Sequence, residues 1–117
     1  MSKISVIGAG SVGATIANDL MIQGTASEIV LVDINKQKAF GEALDIYQGA
    51  PFCSPAIVRS GDYAATAGSD IVVITSGMPR KAGQSRLDLA QANVNIIKDI
   101  APQVVKAAPN AKYVIVS

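Results

Sequence analysis

Hydrophobic and polar positions along the chain switch repeatedly between two rhythms. Lys3 to Ile7 is a short β-rich run that enters a glycine cluster, and from Ser11 the apolar residues fall at helical spacing, Val12, Ile16 and Leu20. This predicts strand, tight turn and helix. Gly24 fits a helix stop, and Glu28 to Asp33 then reads as a second strand, nearly all apolar as a strand covered on both faces should be. Asn35 is suited to cap a helix from about Lys36 to Tyr47, with Ala39, Ala43, Leu44 and Tyr47 along one side and Gly49-Ala50-Pro51 ending it.

Ile57 to Arg59 is a weaker strand, Asp62 to Ala67 a short helical or turn segment, and Asp70 to Thr75 a strong strand. Ser76 to Ser85 holds two glycines, a proline and the cations Arg80 and Lys81, the composition of a surface loop leaving a strand's carboxyl end. Leu87, Val94, Ile97 and Val104 mark a long helix that Pro102 should bend or divide, and Tyr113 to Val116 is a further strand. Alternating strands and helices on short links imply an α/β fold: a doubly wound parallel sheet of Rossmann type, strand order 3-2-1-4-5, with helices on both faces. Its switch point falls between the first and fourth strands, where the crevice accepts a nucleotide.

Composition narrows this picture. With 117 residues, 50% of them apolar and 16% charged, the chain suits one well-buried domain, not a disordered or disulfide-dense one. A net charge of +1 offers no long-range attraction for nucleic acid or an anionic membrane, so a small ligand is the expected partner. The lone Cys53 reads as a small semi-buried hydrophobe and suits a reducing compartment. With no targeting segment and no spanning helix in evidence, a cytoplasmic protein is expected.

Gly8-Ala9-Gly10-Ser11-Val12-Gly13 matches G-x-G-x-x-G, and each glycine has its own task. Gly8 permits the sharp turn, Gly10 removes a Cβ where a pyrophosphate must approach backbone, and Gly13 lets the helix pack closely on the strand. Asp33, at the carboxyl end of the second strand, is positioned to accept hydrogen bonds from an adenosine ribose. It would repel a 2′-phosphate, which favours NAD over NADP. The competing reading of Asp33 is a turn or capping aspartate. Lys36 and Lys38 read as solvated, with Lys38 able to approach the adenosine end.

A second signature, Ser76-Gly77-Met78-Pro79-Arg80-Lys81-Ala82-Gly83-Gln84-Ser85-Arg86-Leu87-Asp88-Leu89, resembles the mobile substrate loop of the L-lactate/malate dehydrogenase family. The likeness extends through Gly41-Glu42-Ala43-Leu44-Asp45, Gly61-Asp62-Tyr63, Ser69-Asp70-Ile71-Val72 and Val114-Ile115-Val116-Ser117. That resemblance implies that Val12 and Tyr63 line the adenine side. Ser76, Gly77, Asn93, Val116 and Ser117 would approach the cofactor elsewhere, and Arg86 would polarise the substrate carbonyl. A guanidinium on a closing loop is chemically suited to that task, although without the family Arg86 reads as a solvated helix-start cation.

Arg80 matches the family's substrate-distinguishing position, where glutamine generally goes with lactate and arginine with malate. A second substrate carboxylate would pair with it bidentately. Gly41 to Asp45, Gly49 to Phe52 and Arg86 to Leu89 look more like the lactate branch. Both substrates stay open, with L-lactate favoured on breadth. The resemblance also implies a homo-oligomer, for which the apolar face of the second helix is the candidate surface.

The family's proton-transfer histidine and its aspartate belong to a second half, and this sequence contains no histidine. The expectation is an NAD-binding domain over residues 1–117 without the substrate domain, unable to turn over alone because no imidazole is present to take the hydroxyl proton. A Rossmann-type nucleotide sensor and a methyltransferase-like domain that binds another adenosine cofactor are the competing readings from other classes.

Overall fold

The computed structural model describes residues 2–48, 57–75, 83 and 85–116. Five parallel strands form one sheet in the order β3-β2-β1-β4-β5. In chain order the elements are β1 (Lys3–Ile7), α1 (Ser11–Gln23), β2 (Glu28–Val32), α2 (Lys36–Tyr47), β3 (Ile57–Gly61), a 3-10 turn (Tyr63–Thr66), β4 (Ile71–Ile74), α3 (Arg86–Ala107) and β5 (Lys112–Ile115). The expected topology is the observed one.

Alternation along the inner strands divides the core in two. Ile4 and Val6 of β1, Ile29 and Leu31 of β2, Val58 of β3 and Val73 of β4 point to one face, where Ala17 and Met21 of α1 and Ala43 and Ile46 of α2 cover them. Ile7, Val30, Val32, Val72 and Ile74 point to the other, under Ile100 and Val104 of α3. Removing each large aliphatic side chain from water contributes roughly 1.5–3 kcal/mol, so these two layers dominate the favourable side of folding. Within the layers, the fully buried Ser5 hydroxyl is paired with Ser69 at 2.6 Å, which avoids the cost of an unmade hydrogen bond. At the β3 edge Arg59 bonds Glu28 at 2.9 Å. The pair is partly exposed, so it contributes at most about 1 kcal/mol.

Local chemistry sets the helix ends. Gly24 closes α1 in the left-handed conformation (φ 67°), which glycine adopts without a Cβ penalty. Asn35 accepts the Lys38 backbone N–H and opens α2, as expected. Ser85 and Asp88 form a reciprocal capping box at the start of α3.

The structure refines three expectations. The buried stripe of α1 is Gly13, Ala17 and Met21, one position along from Val12, Ile16 and Leu20. Close packing of the helix start on the sheet requires small residues at Gly13 and Ala17, with Met21 filling the core further along, and leaves Ile16 and Leu20 half-buried and Val12 54% exposed. In α2 the buried stripe is Ala39, Ala43 and Ile46, while Leu44 and Tyr47 join Phe40 on the outward side. Of the two outcomes expected at Pro102, division does not occur, since α3 runs through it. It lies on an exposed turn, where a carbonyl deprived of its amide partner is open to water. Cys53, the Gly49-Ala50-Pro51 helix stop and the loop from Ser76 to Arg80 lie outside the described residues.

Candidate functional site

At the carboxyl ends of β1 and β2 the chain builds a compact turn. Gly8 carries φ 107°, a conformation L side chains rarely adopt, and bends the backbone out of β1. Its N–H donates to the Val32 carbonyl at 2.7 Å. The next N–H, of Ala9, donates to Asp33 Oδ2 at 2.7 Å, so the carboxylate continues the β1–β2 pairing one residue beyond the ladder. The other Asp33 oxygen accepts the Asn35 N–H at 2.9 Å.

Asp33 is therefore a turn aspartate as well as a candidate ribose ligand. An ionised carboxylate offers about four acceptor directions, and two are used here, so the half-buried side chain keeps capacity for ligand hydroxyls.

Gly10 and Gly13 differ in what surrounds them. A Cβ added at Gly10 would enter open space, whereas one at Gly13 would collide with the Gly8 carbonyl and approach Thr75 Oγ1 at 2.9 Å. Gly13 is thus required by packing, and Gly10 leaves the outer side of the turn bare. The α1 start has no side-chain cap and no acidic residue in its first turn. Its first intrahelical bond runs from Ala14 N–H to the Gly10 carbonyl at 2.9 Å, so the preceding amides have no partner within the helix. Bare amides, an open backbone surface and the positive end of a helix dipole suit a diphosphate. The residues present fit a dinucleotide: diphosphate at Gly8–Gly13 and ribose at Asp33.

Tyr63 opens the 3-10 turn after β3, capped by Asp62, and packs half-buried against the α3 layer. Burial raises its phenol above the ordinary value, and the negative charges of Asp99 and Asp33 push the same way. Val12 is exposed on the first turn of α1, and Lys38 is exposed on α2.

Arg86, the first residue of α3, is exposed, and Asn93 two turns on is half-buried. They share an open groove of about 830 Å³ along α3, lined also by Leu89, Ala90, Val94 and Ile97. The groove is mostly apolar and also carries the cations Arg86 and Lys98, and its lining includes neither the glycine turn nor Asp33. The sequence-derived residues thus fall into two groups, one at the β1–β2 end and one on α3. Val116 follows β5, its N–H donating to the Ile74 carbonyl at 2.8 Å. Ser76, Gly77, Arg80 and Ser117 lie outside the described residues.

Sequence reasoning missed Thr75, whose hydroxyl lies 3.1 Å from the Ile7 carbonyl and 3.3 Å from that of Gly8. A threonine closing an apolar strand carries no local signal of that contact. Among the described residues no cluster of His, Cys, Asp and Glu is arranged to hold a metal, and no helix is long and apolar enough to cross a membrane.

Residues 2–117 match the family model described as lactate/malate dehydrogenase, NAD binding domain. An L-lactate dehydrogenase of Clostridium botulinum is 58% identical over 116 residues, covering 99% of this chain and 36% of the relative. The malate dehydrogenase of Archaeoglobus fulgidus, solved in complex with NADH, superposes with a TM-score of 0.89 at 43% identity, over 97% of this chain and 39% of that one. The minor L-lactate dehydrogenase of Enterococcus mundtii, in a ligand-bound form, gives a TM-score of 0.89 at 35% identity, over 97% and 37%. The chain spans little more than a third of the length of the relatives it matches.

Proposed function

Because the chain belongs to the lactate/malate dehydrogenase family as its NAD-binding domain, we propose that it is the cofactor half of an NAD-dependent L-2-hydroxy acid dehydrogenase interconverting L-lactate and pyruvate. The observation that carries this reading is the turn at Gly8–Gly13, closed by packing at Gly13, open at Gly10 and joined to Asp33 through Ala9. NAD, when bound, supplies the hydride acceptor.

The remaining work falls to the protein. The amides at the start of α1 hold the diphosphate, with Gly8, Gly10 and Gly13 keeping side chains out of its way. Asp33 binds the adenosine ribose and disfavours a 2′-phosphate by like charge. Val12 and Tyr63 flank the adenine, with Lys38 nearby. Ser76, Gly77, Asn93, Val116 and Ser117 contribute to binding the cofactor, as the family resemblance implies. Arg86 polarises the substrate carbonyl, and its place with Asn93 in one groove along α3 supports that role, since a guanidinium there can donate to a carbonyl oxygen as charge develops on it. Arg80 occupies the sequence position that distinguishes one acid from another in this family.

L-Lactate is favoured by the 58% identity to an L-lactate dehydrogenase. Malate is the second reading, favoured by Arg80, whose guanidinium suits a second carboxylate, and by 43% identity to a malate dehydrogenase. The protein works in the cytoplasm as a homo-oligomer. The outward row of Phe40, Leu44 and Tyr47 on α2, at 61%, 47% and 44% exposure, supports assembly through that helix.

In the full-length protein, Asp33→Ala should weaken NADH binding at least about tenfold, the scale of one or two lost charge-assisted hydrogen bonds. Fluorescence titration measures this, and an unchanged affinity would remove Asp33 from the site. Comparing kcat/KM for pyruvate and oxaloacetate, before and after Arg80→Gln, decides between the two acids.

A further inference from the structure

The β1-to-α1 turn is held from both of its neighbours in the sheet. On the β2 side, the Val32 carbonyl accepts the Gly8 N–H and Asp33 Oδ2 accepts the Ala9 N–H, each at 2.7 Å. On the β4 side, the Thr75 N–H donates to the Ile7 carbonyl at 2.8 Å, and the Thr75 hydroxyl reaches the Ile7 and Gly8 carbonyls at 3.1 and 3.3 Å. The backbone bond at Thr75 would exist with any side chain there. The hydroxyl contact would not.

Thr75 is the first residue beyond the end of β4, where its half-buried side chain meets the carbonyls that β1 presents as it leaves the sheet. A Cβ at Gly13 would come within 2.9 Å of the same oxygen. The Gly8 carbonyl, the Thr75 hydroxyl and the bare Cα of Gly13 therefore meet at one packed point, joining the turn, the fourth strand and the first helix. Gly8 has no side chain of its own to limit rotation of the peptide that follows it. That rotation would carry the Ala9 N–H off Asp33 and change the direction of the amides that open α1.

Resting on the reading of the preceding subsection, we propose that Thr75 is a positioning residue for the dinucleotide: its hydroxyl, sharing one proton between the Ile7 and Gly8 carbonyls, holds the turn so that the amides at the start of α1 stay aimed at the diphosphate. Thr75 acts through the turn and not by touching the ligand. Its effect should be confined to ligands carrying the diphosphate and absent for the adenosine end alone, which Asp33 serves.

The experiment uses the full-length protein and measures the NADH dissociation constant by fluorescence and the inhibition constant of adenosine, which has no phosphate. Thr75→Val, close to isosteric, should weaken NADH about three- to tenfold, the range of one net hydrogen bond, with adenosine inhibition changed less than about twofold. Thr75→Ser keeps the hydroxyl and should restore most of the affinity, while Thr75→Ala should follow valine. Wild-type NADH affinity in Thr75→Val would overturn the assignment. So would equal weakening of adenosine, which marks general damage to the fold, or a serine variant as weak as valine, which marks packing by the methyl group. Should the valine variant fail to fold, the serine and alanine variants decide, and equal NADH affinity in those two overturns the assignment. Failure of the unaltered protein to bind NADH would overturn this assignment together with the reading beneath it.

Discussion

Gly10 and Gly13, three residues apart, make opposite demands on the same turn. A methyl at Gly13 meets the Gly8 carbonyl, which cannot yield without disturbing β1, so Gly13→Ala should cost about 1–3 kcal/mol in chemical denaturation. A methyl at Gly10 meets nothing in the protein, so Gly10→Ala should change stability by less than about 1 kcal/mol while NADH affinity falls about tenfold or more. Equal stability losses in the two variants would contradict this division of labour. Tyr63 yields a pH prediction. Its phenol is raised by burial first and by Asp99 and Asp33 second, so the folded state holds the proton more tightly than the unfolded chain. The stability it contributes is complete below the ordinary tyrosine value near 10 and is lost as pH rises through the higher folded value. Thermal unfolding from pH 8 upward should show this alkaline loss reduced in Tyr63→Phe. Tyr113, also raised by burial, adds to the remainder.

Helix placement was legible wherever capping chemistry is local. Asn35 before α2, Gly24 after α1 and the end of β1 at Ile7 all fall where short-range rules put them. Helix facing was less legible, because 3.6-residue spacing accepts neighbouring stripes. Val12-Ile16-Leu20 and Gly13-Ala17-Met21 both satisfy it, and the sheet admits the set whose first two members, Gly13 and Ala17, are small. The same reasoning accounts for α2, where Ala39, Ala43 and Ile46 face the sheet and leave Phe40, Leu44 and Tyr47 as a second apolar row. Phe40→Glu should shift the full-length protein toward smaller assemblies in light scattering with its circular dichroism unchanged. An unaltered mass would overturn the proposed assembly through this face of α2.

For the whole molecule, the two crossovers that leave β1 and β4 in opposite directions create the crevice in which the glycine turn sits. The groove on α3 forms a second, more apolar region carrying Arg86 and Asn93. These 117 residues contain no histidine. The isolated chain should therefore oxidise neither L-lactate nor L-malate measurably, since general acid–base help alone is worth two to four powers of ten in rate, in about that range for most enzymes. A coupled NADH absorbance assay on the purified 117-residue chain checks this, and turnover would show that another group takes the hydroxyl proton.

The order of strands and helices, the G-x-G-x-x-G turn and the acidic residue after β2 were determined by the sequence itself. Each depends on residues a few positions apart: periodicity, caps and glycine conformations are local physics. The bonds that organise the site were decided only in three dimensions. Ala9 and Asp33 are 24 residues apart, and Thr75 and Gly8 are 67 apart. No local pattern distinguishes a threonine that ends a strand from one that locks a turn, because the difference lies in which strands the parallel sheet brings side by side.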